Sequence, residues 1–215
     1  ASLVTRTGKA VGFVSDKRKE DDRQDEVGLV REQTGSYGDF ESDADFFVAE
    51  EERYEIIEGV RYDLKPAPTV NHQQISGALY IMLYNTCHAN GTILYSPLDV
   101  YLNEENQFQP DLVYILHENA SIIKKHRIEG VPDLAVEILS PSTSHNHKVR
   151  KKRQFERHGL KEYWIIDPVH RTLDPFILTD GKLVLLDTHI APDRMTSPLF
   201  SCVEIDMARV FANMR

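Results

Sequence analysis

The sequence has few cysteines and no long apolar segment. Its two cysteines, Cys87 and Cys202, lie far apart and form no CxxC or Cys/His pattern, which predicts neither a zinc site nor a disulfide framework. No apolar run approaches the roughly 18 residues that span a bilayer, and no apolar signal core follows the basic residues near the N-terminus. We therefore expect a soluble, unexported protein of the reducing cytoplasm.

Two common catalytic motifs are also missing. The sequence contains no P-loop, so an ATP-driven cycle is not indicated. It has no GxSxG motif either, and Ser140, Ser142 and Thr143 are typical of turn and helix-capping positions. Hydrolysis through an activated serine is therefore not predicted.

Acidic residues exceed basic ones, but unevenly along the chain. The 34 acidic and 25 basic side chains give a net charge of -9. Residues 16–58 alone hold 16 acidic and 6 basic side chains, and the rest of the chain is nearly neutral. Because electrostatic attraction depends on where charge lies, a nucleic-acid partner is not excluded, although strong non-specific DNA binding is not indicated.

The chain divides into a charged tail and one domain. Residues 1–35 are polar, dense in charge and without helix or strand periodicity, which is typical of a tail outside the fold. Residues 36–215 are long and apolar enough for one domain, for which we predict an α/β fold with a mixed sheet. The predicted elements, in chain order, are a strand pair around Gly59, an amphipathic helix over 70–88, strands in TILYSPLDVYL, DLVYILHE and DLAVEIL, a helix ending at Gly159, a strand in KEYWIIDP, a hairpin around TDGK and a C-terminal helix capped by Asp206.

Two of the predicted strands carry carboxylates beside or among apolar residues. Strand alternation places Asp133 and Glu137 on one face of DLAVEIL, and Asp111 begins the neighbouring apolar run. A carboxylate within an apolar strand costs several kcal/mol unless it is paired or bound to a cation. If the strands are neighbours, Asp111 and Glu137 converge, and Mg²⁺ or Mn²⁺ would relieve their repulsion. The alternative is that each carboxylate caps a turn or pairs with an arginine, and Pro-Asp at a strand entry keeps it open for Asp111.

The helix before Gly159 is strongly basic. Lys151 lies four residues from both His147 and Phe155, so it shares a helix face with an aromatic side chain that should point at the sheet. A cation there could stabilise developing negative charge or help to deprotonate a water. The other basic residues are typical of a solvated face and could contact phosphates.

Five sequence blocks together resemble a known family. They are RYEIIEGVRYDLKPAP, NHQQISGALYIML, FQPDLVYI, VPDLAVEILSPST and HGLKEYWIIDP. In this order they resemble the Uma-type restriction endonuclease family, a branch of the PD-(D/E)xK nuclease superfamily, over roughly residues 36–178. The resemblance implies a restriction-endonuclease-like core, in which helices flank a mixed central β-sheet, with an added N-terminal β-hairpin.

The resemblance also implies a magnesium-dependent phosphodiesterase site. Asp111 and Glu137 would hold the metal together with the backbone carbonyl of Ile138. The lysine that the superfamily carries two residues after the second acid falls here on Leu139. A lysine of the following helix, in this sequence Lys151, would take over its role.

Three further positions of this implied site either have an alternative role or differ from the family pattern. His72 corresponds to a family histidine that faces the site, with a helix cap or a core histidine as the alternative. Glu55 falls on a family glutamate, and Glu58 is the adjacent alternative. His147 stands where the family carries Asp, one helical turn before the lysine, and cannot balance the charge of Lys151 in the same way. Activity could therefore be weakened, altered in its pH dependence or lost.

These observations favour a Mg²⁺- or Mn²⁺-dependent endonuclease that hydrolyses DNA phosphodiester bonds. Its partners would be DNA, a divalent cation and a second copy of the chain in a homodimer. One alternative is a catalytically silent DNA-binding or oligomerisation module on the same fold, which His147 and the acidic tail motivate. Another is a scaffold protein whose strand carboxylates only pair with lysine and arginine.

Overall fold

The computed structural model describes residues 53–64, 67–140 and 145–214, without the side chains of residues 145–148. The predicted tail over residues 1–35 lies outside the described residues, as do Ser142 and Thr143. The predicted domain over residues 36–215 is described from residue 53 onward.

A six-stranded mixed sheet forms the centre of the domain. Its neighbouring strands are antiparallel except for one parallel pair, formed by Leu134–Ile138 and Glu162–Asp167. In spatial order the strands are β11 (Lys182–Leu185), β10 (Thr172–Thr179), β9 (Glu162–Asp167), β8 (Leu134–Ile138), β6 (Leu112–Leu116) and β3 (Gly91–Tyr95). The predicted mixed sheet is thereby confirmed.

The central strands of this sheet carry apolar side chains on both faces, which must be shielded from water. Other elements cover both faces. Helix α1 (Val70–Cys87) covers one face together with the hairpin of β12 (Arg194–Thr196) and β13 (Glu204–Asp206) and with helix α3 (Met207–Val210). Helix α2 (His145–Arg157) covers the other face. The apolar positions of α1 that the spacing predicted are buried, namely Ile75, Leu79, Met82 and Leu83.

A second sheet packs on the α2 side and was not predicted. Its order is β2 (Val60–Asp63), β1 (Tyr54–Ile57), β5 (Asn106–Phe108), β4 (Val100–Asn103) and β7 (Ile128–Glu129). The prediction of one strand in TILYSPLDVYL is wrong, because the chain leaves the first sheet after Tyr95 and enters the second at Val100. Pro97 stands between them and has no N–H to donate to a ladder.

The other predicted elements are present. The β1–β2 hairpin turns at Gly59 and the β10–β11 hairpin at Gly181, both with positive φ. The turn after α2 contains Gly159 at φ 80°, a conformation that glycine adopts without strain. Asp206 caps α3 by accepting hydrogen bonds from the backbone of Ala208 and Arg209.

Cys87 and Cys202 form a disulfide, although their spacing in the sequence predicted no disulfide framework. Their Cα atoms lie 5.1 Å apart although 115 positions separate them in sequence. The end of α1 and the loop before β13 meet in the core, a proximity that no local spacing reveals. The prediction of a reducing cytoplasm loses the support that it took from the cysteines.

None of the helices in the described part of the chain is both long and apolar enough to cross a membrane.

Candidate active site

Asp111 and Glu137 lie side by side at one end of the β6–β8 pair. The antiparallel register pairs Leu112 with Val136, so the next pair outward is Asp111 with Glu137. Opposed residues of an antiparallel pair point to the same face, here the face that α2 covers. The backbone N–H of Ile138 donates to Asp111 Oδ2 at 2.7 Å, which fixes the carboxylate against β8.

His72 holds the other oxygen of Asp111. The first turn of α1 is capped by Thr69, whose hydroxyl accepts from the His72 backbone N–H at 3.2 Å. The ring Nε2 lies 3.2 Å from Asp111 Oδ1, and the side chain is 10% exposed. The ring Nδ1 is buried and has no hydrogen-bond partner among the described residues. A cap and a site-facing histidine were alternatives, and here Thr69 is the cap while His72 faces Asp111.

Lys151 joins the two sheets through an ion-pair bridge. Its Nζ lies 2.5 Å from Glu137 Oε1 and 2.7 Å from Glu55 Oε1. The side chain is 5% exposed, because the rest of this helix face packs into the core beside Phe155. Glu55 is held in place from β1, where its Oε1 also accepts from the backbone N–H of Gln109 at 2.8 Å.

The carboxylates of this cluster outnumber its lysine. Burial raises the pKa of Glu137 to about 8, opposed by the charge of Lys151 and reinforced by those of Asp111 and Glu55. Burial alone would lower the pKa of Lys151, but Glu137 and Glu55 outweigh it and leave that pKa above its ordinary value. The ammonium group of Lys151 therefore stays protonated near neutral pH, and Glu137 holds its proton to a higher pH than an exposed glutamate does.

Asp133 belongs to a different arrangement, although it begins its strand just as Asp111 does. It accepts from the Leu116 backbone N–H at 2.8 Å and lies 2.8 Å from Lys161 Nζ. Because β6 and β8 are antiparallel, each aspartate precedes one strand and binds the end of the other. Asp133 is therefore paired with a lysine, and the further carboxylate at its end of the strand pair is the exposed Glu118, 3.8 Å from Lys161 Nζ.

Glu58 lies outside the cluster. Its Oε1 accepts from Gln154 Nε2 at 2.7 Å and lies 3.3 Å from Arg157 Nη1. Of the two adjacent glutamates, the structure brings Glu55 and not Glu58 to Lys151. Lys152 also points away, with Nζ donating to the carbonyl of Leu183.

Tyr163 is a neighbour of the cluster that sequence reasoning missed. It lies beside Ala135 in the β8–β9 register, is 1% exposed and contacts the Phe155 ring. Burial and then the charges of Glu137, Glu55 and Asp111 raise its pKa well above the ordinary value. Alternation in KEYWIIDP could have placed Tyr163 on the α2 face, but an aromatic residue in a strand is more typical of core.

The chemistry of the cluster fits a hard divalent cation. The carboxylates of Asp111 and Glu137 and the carbonyl of Ile138 are the oxygen donors that Mg²⁺ and Mn²⁺ prefer. A divalent ion at this place would favour the ionised form of Glu137, whose pKa burial raises to about 8. Within the described ranges, no three His, Cys, Asp or Glu side chains are grouped to hold a metal. The metal ligands that the resemblance implies include only two such side chains, Asp111 and Glu137. The third ligand is the backbone carbonyl of Ile138.

Two positions complete the comparison with the implied site. Leu139, where the superfamily carries lysine, donates its backbone N–H to Ile166 and offers no charge. The side chain of His147 lies outside the described part of the chain.

The family model named Uma2, described as "Putative restriction endonuclease", matches residues 40–208. The chain belongs to the Uma2 family. The resemblance found in the sequence blocks is confirmed, and Asp111, Glu137 and Lys151 all lie inside the matched range.

Six chains of solved structures match this chain, among them the following two. A "putative nuclease belonging to DUF820" from Anabaena variabilis is 19% identical with a TM-score of 0.62, and the match covers 75% of this chain and 91% of that one. This likeness confirms the predicted restriction-endonuclease-like fold. The type IIG restriction endonuclease BpuSI is 14% identical with a TM-score of 0.37, over 69% of this chain and 16% of that one. A comparison with curated proteins gives no match.

Proposed function

We propose that this Uma2-family chain is an endonuclease that hydrolyses DNA phosphodiester bonds with Mg²⁺ or Mn²⁺. Membership of the family supports the nuclease class. The observation that carries the proposal is the buried Lys151 ammonium, 2.5 Å from Glu137 at the strand end where Asp111 also lies. A lysine beside two strand carboxylates is the constellation that a metal-assisted attack on a phosphodiester needs.

Each residue of the cluster has a distinct role in this proposal. Asp111, Glu137 and the Ile138 carbonyl would hold the cation, which would supply Lewis acidity and a more acidic bound water. His72 orients Asp111 through its Nε2 contact. Lys151 stays protonated, so it stabilises negative charge on the phosphate and does not act as the base.

A catalytically silent DNA-binding module on the same fold is the second candidate. The bridge formed by Lys151 favours it, because Lys151 already neutralises charge on Glu137 and Glu55, as a metal ion would. Both candidates predict DNA binding, and only the first predicts cleavage.

Nicking of supercoiled plasmid DNA separates these candidates. With Mg²⁺ or Mn²⁺ the wild-type chain should nick the plasmid, and Glu137→Gln should not. Glu58→Gln is the matched control, because Glu58 lies in the same part of the fold but bonds to Gln154 and Arg157. It should cleave like the wild type. If the wild-type chain cleaves the plasmid no faster than Glu137→Gln does, the endonuclease proposal is wrong and the catalytically silent DNA-binding module remains.

Binding of Mn²⁺, followed by titration calorimetry, gives a readout that does not depend on cleavage. Glu137→Gln should weaken binding and Glu58→Gln should not. A wild-type chain that binds no Mn²⁺ at millimolar concentration would remove the metal from the proposal. The homodimer and the cytoplasmic location stay predictions, and light scattering of the purified chain tests the first.

A further inference from the structure

Helix α1 and the strand that follows it belong to a segment without Asp, Glu, Lys or Arg. None of these residues stands between Lys65 and Asp99, although they make up 27% of the chain. Of the histidines on this helix, His72 points inward to Asp111 and His88 stands at its C-terminal end. The outward side of α1 therefore carries no acidic residue, lysine or arginine, whereas an exposed helix surface normally does.

This outward side is apolar and aromatic instead. Ile81 is 53% exposed and Tyr84 is 48% exposed. A row of rings extends from the helix to the edge strand β3, because Tyr80 lies 5.8 Å from Tyr84 and 4.9 Å from the exposed Tyr95, measured between ring centres. The exposed side chains of α1 together with Tyr95 are called the outer α1 surface. A contiguous exposed apolar surface is typical of a contact with another protein.

Gly77 lies at the centre of the outer α1 surface. It is exposed, and a methyl group added to it would meet no described atom within 4 Å beyond the backbone of its own helix. Glycine inside a helix destabilises the helix relative to alanine, and no contact within the described chain requires it here. The close approach of a second backbone from outside does require a residue without a side chain.

The outer α1 surface is also symmetric about this glycine. Val70 and Tyr84 lie seven positions to either side of Gly77, and Gln73 and Ile81 lie four positions to either side. All of them are exposed, and these spacings place them on one side of the helix. An antiparallel crossing of two α1 helices at the glycine would therefore pair Val70 with Tyr84 of the partner subunit. It would pair Gln73 with Ile81 of the partner subunit in the same way.

Charge indicates which partner fits this surface. A nucleic acid is bound through lysine and arginine, and the outer α1 surface has neither. Two copies of a chain with a net charge of -9 repel each other least where the surface holds no charge. In a two-fold contact the same surface meets itself, so a charged side chain near the axis would face its like, which an uncharged surface avoids. A second copy of the chain is therefore the partner that this chemistry favours.

We propose that the chain forms a homodimer through the outer α1 surface, with the two α1 helices crossing antiparallel at Gly77. The 18 residues of α1 are about 27 Å long, close to the breadth of a standard interface, which buries about 800 Å² on each partner. Ile81 and Tyr84 become buried in this contact, and the row of rings lies at its side. The inference names the surface of the homodimer and does not depend on the proposed nuclease activity.

Sedimentation equilibrium of the purified full chain, over a range of concentrations, measures the dissociation constant of the dimer. Ile81→Lys should raise it about 100-fold or more, because each copy then places a like charge in the contact. Val169→Lys is the matched control, since Val169 is also an exposed apolar residue but lies in the turn between β9 and β10. It should dimerise like the wild type. Higher salt should not weaken the wild-type dimer, because salt screens the repulsion between two acidic chains.

Gly77→Ala separates a contact at this position from a role within one chain. Alanine should stabilise α1 in the monomer, so the urea midpoint at low protein concentration should rise. Its methyl groups meet at the helix crossing, so the dissociation constant should rise about tenfold as well. A higher urea midpoint with an unchanged dissociation constant would show that no second helix packs on Gly77, and would overturn the proposed contact.

The outcomes distinguish this inference from the proposed function. A wild-type chain that nicks plasmid DNA but stays monomeric at every concentration keeps the nuclease and overturns the homodimer. A dimer that both Ile81→Lys and Gly77→Ala leave intact uses another surface, which overturns the inference as well. A dimer that Ile81→Lys dissociates, formed by a chain that does not cleave DNA, keeps the contact and loses the nuclease.

Discussion

At the scale of single residues, Lys151 is a buried ammonium group whose partners must offset its burial. Moving an ion from water into a protein costs several kcal/mol, and an unpaired buried charge is rarely tolerated. Lys151 has Glu137 and Glu55 within 2.7 Å, and they leave its pKa above the ordinary value. Its charge and position are therefore fixed, which suits a group that stabilises a phosphate and not one that exchanges protons.

Replacing Lys151 by alanine should lower the rate of DNA cleavage by a factor of about 10² or more, because the lost charge acts mainly in the transition state. Mn²⁺ affinity should not fall, since the variant removes a cation that competes for Glu137. Plasmid cleavage and titration calorimetry measure the two effects. The control is Lys152→Ala, because Lys152 bonds to the Leu183 carbonyl, and it should retain activity. Weakened Mn²⁺ binding in Lys151→Ala would contradict this role.

Local rules are enough to group part of the candidate site. Strand alternation and helix spacing brought Asp111, Glu137 and Lys151 together from the sequence alone, and the structure brings the same residues together. The family resemblance left Glu55 and Glu58 as alternatives. The two glutamates differ in their contacts with α2, which depend on how two distant segments pack and not on spacing.

At the scale of secondary-structure elements, the β6–β8 pair is closed at both ends by an aspartate. Asp111 binds the Ile138 N–H at the end of β8, and Asp133 binds the Leu116 N–H at the end of β6. The fold thus uses the same Pro-Asp entry twice for backbone bonding. The end at Asp111 has the buried bridge of Lys151 with Glu137 and Glu55, whereas the end at Asp133 has the half-exposed Lys161, so the two aspartates should respond differently to substitution.

Asp133→Ala should destabilise the fold by about 2 kcal/mol, because it leaves the partly buried N–H of Leu116 without its acceptor and Lys161 without its nearest carboxylate. Mn²⁺ affinity of the folded protein should stay unchanged, since Asp133 lies at the far end of the strand pair. Asp111→Ala should lose a comparable backbone bond and weaken Mn²⁺ binding as well. Urea unfolding and titration calorimetry measure the two properties. Equal loss of Mn²⁺ binding in both variants would contradict the assignment.

Most elements followed from the sequence, but their distribution between two sheets did not. The strands β6, β8 and β9 are short apolar runs, and α1 has apolar residues at helical spacing, patterns that local rules detect. The end of α2 was indicated by Gly159. The break near Pro97 was missed because apolar β-formers stand on both sides of it. Strands β4, β5 and β7 have two to four residues each, too few for a clear period. β4 and β5 form a hairpin, but β5 also pairs with β1 and β4 with β7, which are distant in sequence.

At the scale of the whole molecule, the C-terminal hairpin and α3 are attached to α1 by a covalent link. The disulfide between Cys87 and Cys202 closes a loop over a sequence separation of 115. Cys87 is fully buried in the core that α1 shares with β13 and α3. A link of this length restricts the unfolded chain strongly.

Cys202→Ser should therefore lower the free energy of unfolding by about 2 to 4 kcal/mol, and reducing agent should have the same effect on the wild type. Urea unfolding with and without reductant measures the difference, and mass spectrometry of the alkylated protein counts free thiols. Reductant should not change the stability of Cys202→Ser itself. Free thiols in the purified wild type, with no effect of reductant, would contradict the covalent link.

The same C-terminal segment is also bound to the central sheet through a buried carboxylate. Glu162 at the start of β9 accepts from Trp164 Nε1 at 2.6 Å and from Ser197 Oγ at 2.5 Å, and it is fully buried. The Ser197 hydroxyl oxygen in turn accepts from the backbone of Leu199 and Phe200. Burial raises the pKa of Glu162, and the two side-chain hydrogen bonds only partly oppose this.

A carboxyl group whose pKa is higher in the folded state holds its proton more firmly there than in the unfolded chain. Its contribution to stability is complete below about pH 4.5, the ordinary value, and is lost as the pH rises through the folded value. Glu162→Gln cannot ionise, so its stability relative to the wild type should increase as the pH rises from about 4.5 toward 8. Urea unfolding of both proteins at several pH values measures this difference, with the exposed Glu118→Gln as the control. If the free energy of unfolding changes with pH by the same amount in the wild type and in Glu162→Gln, ionisation of Glu162 does not affect the stability of the fold.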